Sequence, residues 1–188
     1  MRIMGPPTGD RQAVLDRVIA EEVHPRFVAD MFPALWSAGL RYAVDPVGMV
    51  AQAIKETAGG SFPRKVQPWF HNTCGLRVRD LVAVRGLLAV LAGPSLPLDG
   101  EHPLTHHQFG SWAEGAHAHA QHLRAYTGCP VPEIERVDPR YEVVFGYHQL
   151  GEFEELGGKD AAGRTKWAGS PTYGVELVAI AHRLLGGS

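Results

Sequence analysis

The sequence predicts an α+β, mainly helical domain with two lobes. Apolar residues recur at helical spacing over most of the 188-residue chain. One stretch, residues 61–110, loses that spacing and is interrupted by Pro63, Pro68, Pro94, Pro97 and Pro103. The composition, 45% hydrophobic and 20% charged, is that of a globular protein long enough for one proper core. A helical body with one non-helical insertion implies two lobes and a cleft between them.

Residues 1–9, rich in Gly and Pro, read as a flexible leader to a single domain over 10–188. Asp10 can cap a first helix reaching about Glu22, with Val14, Leu15, Val18 and Ile19 as its apolar stripe. Pro25 ends that pattern. Phe27, Met31 and Leu35 open a second one, which Pro33 is expected to kink or divide. Asp45-Pro46 is a strong start for a third helix. Asp caps, and Pro at the first helical position forgoes an N–H that has no partner there. Val47, Val50, Ala51 and Ile54 form its buried stripe, while Met49, Gln52, Ala53 and Glu56 share another face. Gly59-Gly60 ends it.

Within the insertion, Leu81–Val84, Arg85-Gly86 and Leu87–Val90 read as strand, turn and strand, with a buried helix as the alternative. Helix resumes at Ser111. Trp112, Ala116, His119, Leu123 and Tyr126 fall on one face, and Ser111 with Glu114 can form a capping box. Gly128 stops this helix. A further short helix is expected over 141–156, a Gly-rich loop around Gly157, Gly158 and Gly163, and a last helix from about Pro171 to Leu185.

Several functions are disfavoured. A net charge of −2 gives no electrostatic case for nucleic acid as partner. The longest apolar run, Leu81 to Ala92, is too short to span a bilayer. The opening MRIMGPPTGD lacks the apolar core of a secretory signal, so work outside a cell implies export by another route, delivery by a phage, or a signal that is not part of this sequence. Phosphate-binding Gly loops, a GxSxG elbow and HExxH are absent. Cys74 and Cys129 match no zinc spacing; two buried thiols are preferred over one disulfide. Six of the ten histidines lie between His102 and His122, but His117 and His119 point roughly 200° apart on an ideal helix. No metal site and no cofactor are therefore expected, and the chain is expected to act as a monomer.

Glu56 is the residue with the clearest chemical potential. It sits at a helix C-terminus, facing the negative end of the helix dipole, where partial burial also raises a carboxyl pKa. A raised pKa suits a general acid, although many helix-end glutamates are merely solvated. A glycosidase typically pairs such an acid with a second carboxylate. The insertion offers Asp80, Asp99 and Glu101, and spacing does not choose among them.

The residues around Glu56 resemble the family 73 glycoside hydrolases, bacterial glucosaminidases that cut peptidoglycan. Gln52-Ala53-Ile54-Lys55-Glu56-Thr57-Ala58-Gly59-Gly60 is similar to the family's Q-A-x-x-E-[ST]-G-x-G segment. Asn72-Thr73-Cys74-Gly75-Leu76-Arg77 is similar to its N-x-[FC]-G-[IL]-[KR] loop. Phe109, Trp112, Glu114, Gly115, His119, His122, Leu123 and Tyr126 resemble F-x-S-W-x-E-G…H-x-x-H-L-x-x-Y, and Trp167-Ala168 with Tyr173-Gly174 resembles the family's ending. The resemblance spans roughly residues 12–186. It implies a lysozyme-like fold and hydrolysis of the β-1,4 bond between N-acetylglucosamine and N-acetylmuramic acid. Glu56 would be the general acid, Tyr173 a cleft tyrosine, and Asn72 and Gly75 part of a sugar-contacting loop. Ala58 departs from the family's Gly, and the T-x-E segment that can supply the second carboxylate has no clear match. Glu101 and Asp99 are preferred to Asp80 for that role.

Aromatic rings stack on sugars, so Trp69 and Phe70 join Gln52, Asn72 and Gly75 as candidate substrate-binding residues, while Trp112 heads a core stripe. Core packing is the competing reading for Trp69, Phe70 and Tyr173, and a turn role for Asn72. A lytic transglycosylase, or a non-catalytic wall-binding module on the same fold, are the alternative functions.

Overall fold

A computed structural model describes residues 1–62, 68–78 and 106–187. The expected strand–turn–strand over 81–90, and Asp80, Asp99, Glu101 and His102, lie outside the described residues. Within them the chain is mainly helical, and β-structure is limited to isolated bridges. No helix there is long and apolar enough to cross a membrane.

Helix α1 spans Arg11–Ala20, and the Asp10 carboxylate accepts from the Gln12 and Ala13 amides as the capping pattern predicts. Val14 and Val18 face the core, but Ile19 is exposed. The expected break at Pro33 takes the form of a π-turn, Phe27–Met31, in which Phe32 N donates to Phe27 O. This wider turn leads into α2, Phe32–Tyr42, with Pro33 in its first turn.

Helix α3, Pro46–Thr57, is the centre of the fold. The stripe expected on one face understates its burial. From Val47 to Ala53 the residues of this helix are buried all round, by α2 on one side and by the last helix on another. Gly48 permits this: a Cβ there would come within 2.1 Å of the Phe153 ring. Helix α4, Trp112–Thr127, packs on α2 and is capped by Ser111 Oγ, which accepts from Glu114 N. Glu114 turns back to accept from Gly110 N at 2.7 Å, one residue before the position a capping box requires.

The single helix expected over 141–156 is two pieces. Helix α5 covers only Tyr141–Val144, and a 3-10 turn covers Phe153–Leu156. Gly146, at φ +80°, takes the chain out of helical geometry between them. Helix α6, Tyr173–Leu184, closes the core against α3.

Residues 1–9 are not a leader hanging from the domain. Ile3 is fully buried, its amide donates to Gly151 O, and its carbonyl accepts from Asp45 N, both at 2.9 Å. Hydrophobic burial of one side chain, with both backbone groups paired, holds the segment down. The cysteines are both free thiols, Cys74 buried and Cys129 half-buried.

Candidate active site

Glu56 lies in the last turn of α3. Thr57 secures that turn by donating through Oγ1 to Ala53 O at 2.7 Å and accepting from Gly60 N at 2.9 Å. The chain then passes through three left-handed residues, Ala58, Gly59 and Gly60, at φ +49°, +64° and +84°. The helix therefore ends one residue earlier than the glycines suggest.

The Glu56 carboxylate opens onto a cleft of about 1210 Å³. Tyr173, at the start of α6, donates its hydroxyl to Glu56 Oε1 at 2.5 Å, and Trp167 donates Nε1–H to the same oxygen at 3.3 Å. Oε2 is turned toward Gly75, whose absent Cβ would sit 3.6 Å from it. One oxygen is thus held by two donors. The other is left for a proton. Although part of the Glu56 side chain is solvent-exposed, protein crowds its carboxylate, and this desolvation raises the pKa. The hydrogen bonds from Tyr173 and Trp167 and the charges of Lys55 and Arg77 oppose the rise without cancelling it.

Behind Tyr173 runs a buried chain of polar groups. Gln52 Nε2 donates to the Tyr173 oxygen at 3.0 Å, and Gln52 Oε1 accepts from His119 Nε2 at 2.9 Å. His119 Nδ1 lies 3.2 Å from Thr73 Oγ1. Burial lowers the His119 pKa to about 3, so the ring is neutral, with its one proton on Nε2. Thr73 must then be the donor to Nδ1. The order Thr73, His119, Gln52, Tyr173, Glu56 has every hydrogen directed toward the carboxylate, so the tyrosine has no other orientation open to it.

The sequence expectations divide on this geometry. Glu56, Tyr173 and Gly75 come together at the cleft. Gln52, expected to bind substrate, is fully buried and holds Tyr173 instead. Asn72, expected on the sugar side, is also fully buried. It donates to Leu76 O at 2.9 Å and His107 O at 3.0 Å and accepts from Leu76 N at 2.9 Å, fastening the loop that carries Gly75. Phe70 is 2% exposed and belongs to the interior, because it ends a 3-10 turn whose Trp69 takes the outer position. Trp69 is 64% exposed but does not line this cleft. Glu101 and Asp99 lie outside the described residues. Trp112 packs at the core edge, edge-on to His71.

Other residues of the cleft escaped the sequence reading. Trp167 packs over His119, His122 and Tyr126 and reaches Glu56 at the same time. His122 is paired with buried Asp138 through Nδ1 at 2.7 Å. Gln121 accepts from the Val137 and Asp138 amides, so α4 pins the segment that brings Arg140 to the cleft. The one advance signal for Trp167 was its place in the family-like ending. For Arg140 there was none.

Among the described residues, no group of three His, Cys, Asp or Glu side chains is placed to hold a metal. No family model, curated protein or solved structure matches this chain.

Proposed function

We propose that the protein is a peptidoglycan N-acetylglucosaminidase, built as a lysozyme-like two-lobed domain, with Glu56 as the general acid. The observation that carries this reading is the Glu56 carboxyl: raised in pKa, open to a cleft, and held through one oxygen by Tyr173 and Trp167. A carboxyl so placed is protonated over a wider pH range than a solvated one and can give its proton to a glycosidic oxygen. Trp167 and Tyr147 on the cleft lining are surfaces on which sugar rings can stack. The four sequence segments that resemble family 73 supply the bond specificity.

The described part of the cleft lining contains one carboxylate, Glu56. That favours, as a second reading, a lytic transglycosylase, which needs no second carboxylate. Glu101 and Asp99 remain the candidates for a second carboxylate in the hydrolytic reading.

The test is digestion of purified cell walls. Wild-type protein should release fragments with reducing N-acetylglucosamine ends, and Glu56→Gln should lose about 10²–10⁴-fold in rate. Anhydro-muramic ends would instead establish the transglycosylase. Undiminished lysis by Glu56→Gln would rule out both.

A further inference from the structure

Among the described residues, the cleft lining carries five cationic side chains, Lys55, Arg77, Arg140, Arg164 and Lys166, against one carboxylate, Glu56. Two of the five are already matched. Lys55 pairs with Glu176 at 2.6 Å, and Arg164 with Asp160 at 2.7 Å. Arg77, Arg140 and Lys166 have no carboxylate partner among the described residues. Arg140 goes further: its Nε is buried and makes no hydrogen bond. A buried guanidinium N–H without an acceptor costs free energy, and an oxyanion on the part of the same guanidinium that lines the cleft would offset that cost.

Chance does not account well for this arrangement. The whole chain is slightly acidic, at net charge −2, yet cations outnumber carboxylates among the described residues of the cleft lining. Arg140 is also held in place. Asp138 Oδ1 accepts from Arg140 N at 2.9 Å, while Asp138 Oδ2 is engaged by His122 at 2.7 Å. Asp138 is thus occupied with the Arg140 amide and with a histidine, and the Arg140 guanidinium is left to the cleft.

We propose that Arg77, Arg140 and Lys166 form an anion subsite that takes a carboxylate carried by the glycan strand. This rests on the glycan-cleaving function proposed above, and it narrows the substrate to acid-bearing strands over neutral chitin-like ones. Muramic acid strands offer such a carboxylate in two places: on the lactyl group of a stripped sugar, or on the stem peptide. Arginine forks suit either, because they bind a carboxylate through two parallel N–H groups.

The experiment measures binding with Glu56→Gln protein, which prevents turnover, by tryptophan fluorescence at low ionic strength. The probes are soluble stem-bearing glycan strands, amidase-stripped strands with free lactyl carboxylates, and neutral chito-oligosaccharide of equal length. At least one acidic strand should bind ten-fold or more tightly than the neutral one, and added salt should shrink that ratio. The tighter of the two acidic probes identifies the source of the carboxylate. Adding Arg77→Gln, Arg140→Gln or Lys166→Gln should reduce the ratio three- to ten-fold. Arg77 is exposed, so its variant carries the test if Arg140→Gln does not fold. Equal affinity for acidic and neutral strands, or variants that leave the ratio unchanged, would overturn the subsite. The two proposals fail separately. Wild-type protein that binds acidic strands selectively but cuts none retains the subsite and loses the hydrolase. Cutting without charge preference does the reverse.

Discussion

The Tyr173 hydroxyl donates to Glu56 Oε1 at 2.5 Å while its oxygen accepts from Gln52 at 3.0 Å, so the tyrosine is fixed from behind as well as from in front. This hydrogen bond lowers the Glu56 pKa against the upward pull of burial. Removing it with Tyr173→Phe should therefore raise that pKa further. The alkaline limb of the pH–rate profile should move to higher pH, with a drop in kcat of about ten-fold or more. A limb that stays in place would show that Tyr173 does not tune the acid.

The same shift predicts a stability effect. Glu56 has a folded-state pKa above its ordinary value of 4.5, so its protonated form is favoured by folding. The folded state is then penalised as pH rises from 4.5 through the raised pKa. Glu56→Gln carries no such penalty. Its thermal midpoint should equal or exceed that of the wild type at pH 7, and the advantage should vanish below pH 4.5. Urea and thermal melts across that range check this.

His119 gives the opposite slope. Its pKa falls from 6.5 to about 3 on folding, so the stability it contributes is present above pH 6.5 and is lost as pH falls through that window. Each such proton removes about 1.4 kcal/mol per pH unit. His119→Gln should lessen the acid slope of urea-unfolding free energy by close to one proton between pH 6 and 4. Because Gln can still meet Gln52, kcat should fall less than in Tyr173→Phe.

Ala58 sits at φ +49° and ψ +55°, in the left-handed region where a Cβ is disfavoured. Ala58→Gly should stabilise the protein by about 0.5 kcal/mol, the relief of backbone strain exceeding the added freedom of the unfolded chain. A lower denaturation midpoint would contradict this.

Asn72→Ala should cost about 3 kcal/mol, because it strands the Leu76 amide and the His107 carbonyl and leaves Leu76 O with only the His107 amide. It should also lower kcat, since the same loop presents Gly75 to Glu56 Oε2. Equilibrium unfolding and wall digestion read the two effects separately.

The parts of the fold legible in the sequence were those fixed by local chemistry. Asp10, Asp45-Pro46 and Ser111 start helices for reasons contained within a few residues. Glu56 was legible too, since its position depends only on where α3 ends. What failed depended on partners distant in sequence. Gln52 was read as substrate-binding because it shares a face of α3 with Glu56, and nothing near it in sequence revealed that Tyr173 and His119 cover it. Ile3 looked like part of a leader because the residues that pair with its backbone, Asp45 and Gly151, are 40 or more positions away. Trp69 and Phe70 were indistinguishable as a pair, and the short turn alone decides which faces inward. The residues proposed for a second carboxylate, Asp99 and Glu101, lie outside the described residues.

The all-round burial of α3 has a consequence for how such a protein can diversify. A polar or larger side chain anywhere from Val47 to Ala53 meets packed atoms, so the wall that bears the acid has almost no freedom to drift. The opposite resources of the cleft, Arg77, Arg140 and Lys166, project from loops whose backbone bonds do not involve those side chains. Exchanging them leaves the helical body undisturbed. Under the function and subsite proposed above, inheritance is divided accordingly: the reaction would be written into the immovable helix, and the choice of polymer into side chains that mutation can rewrite one at a time.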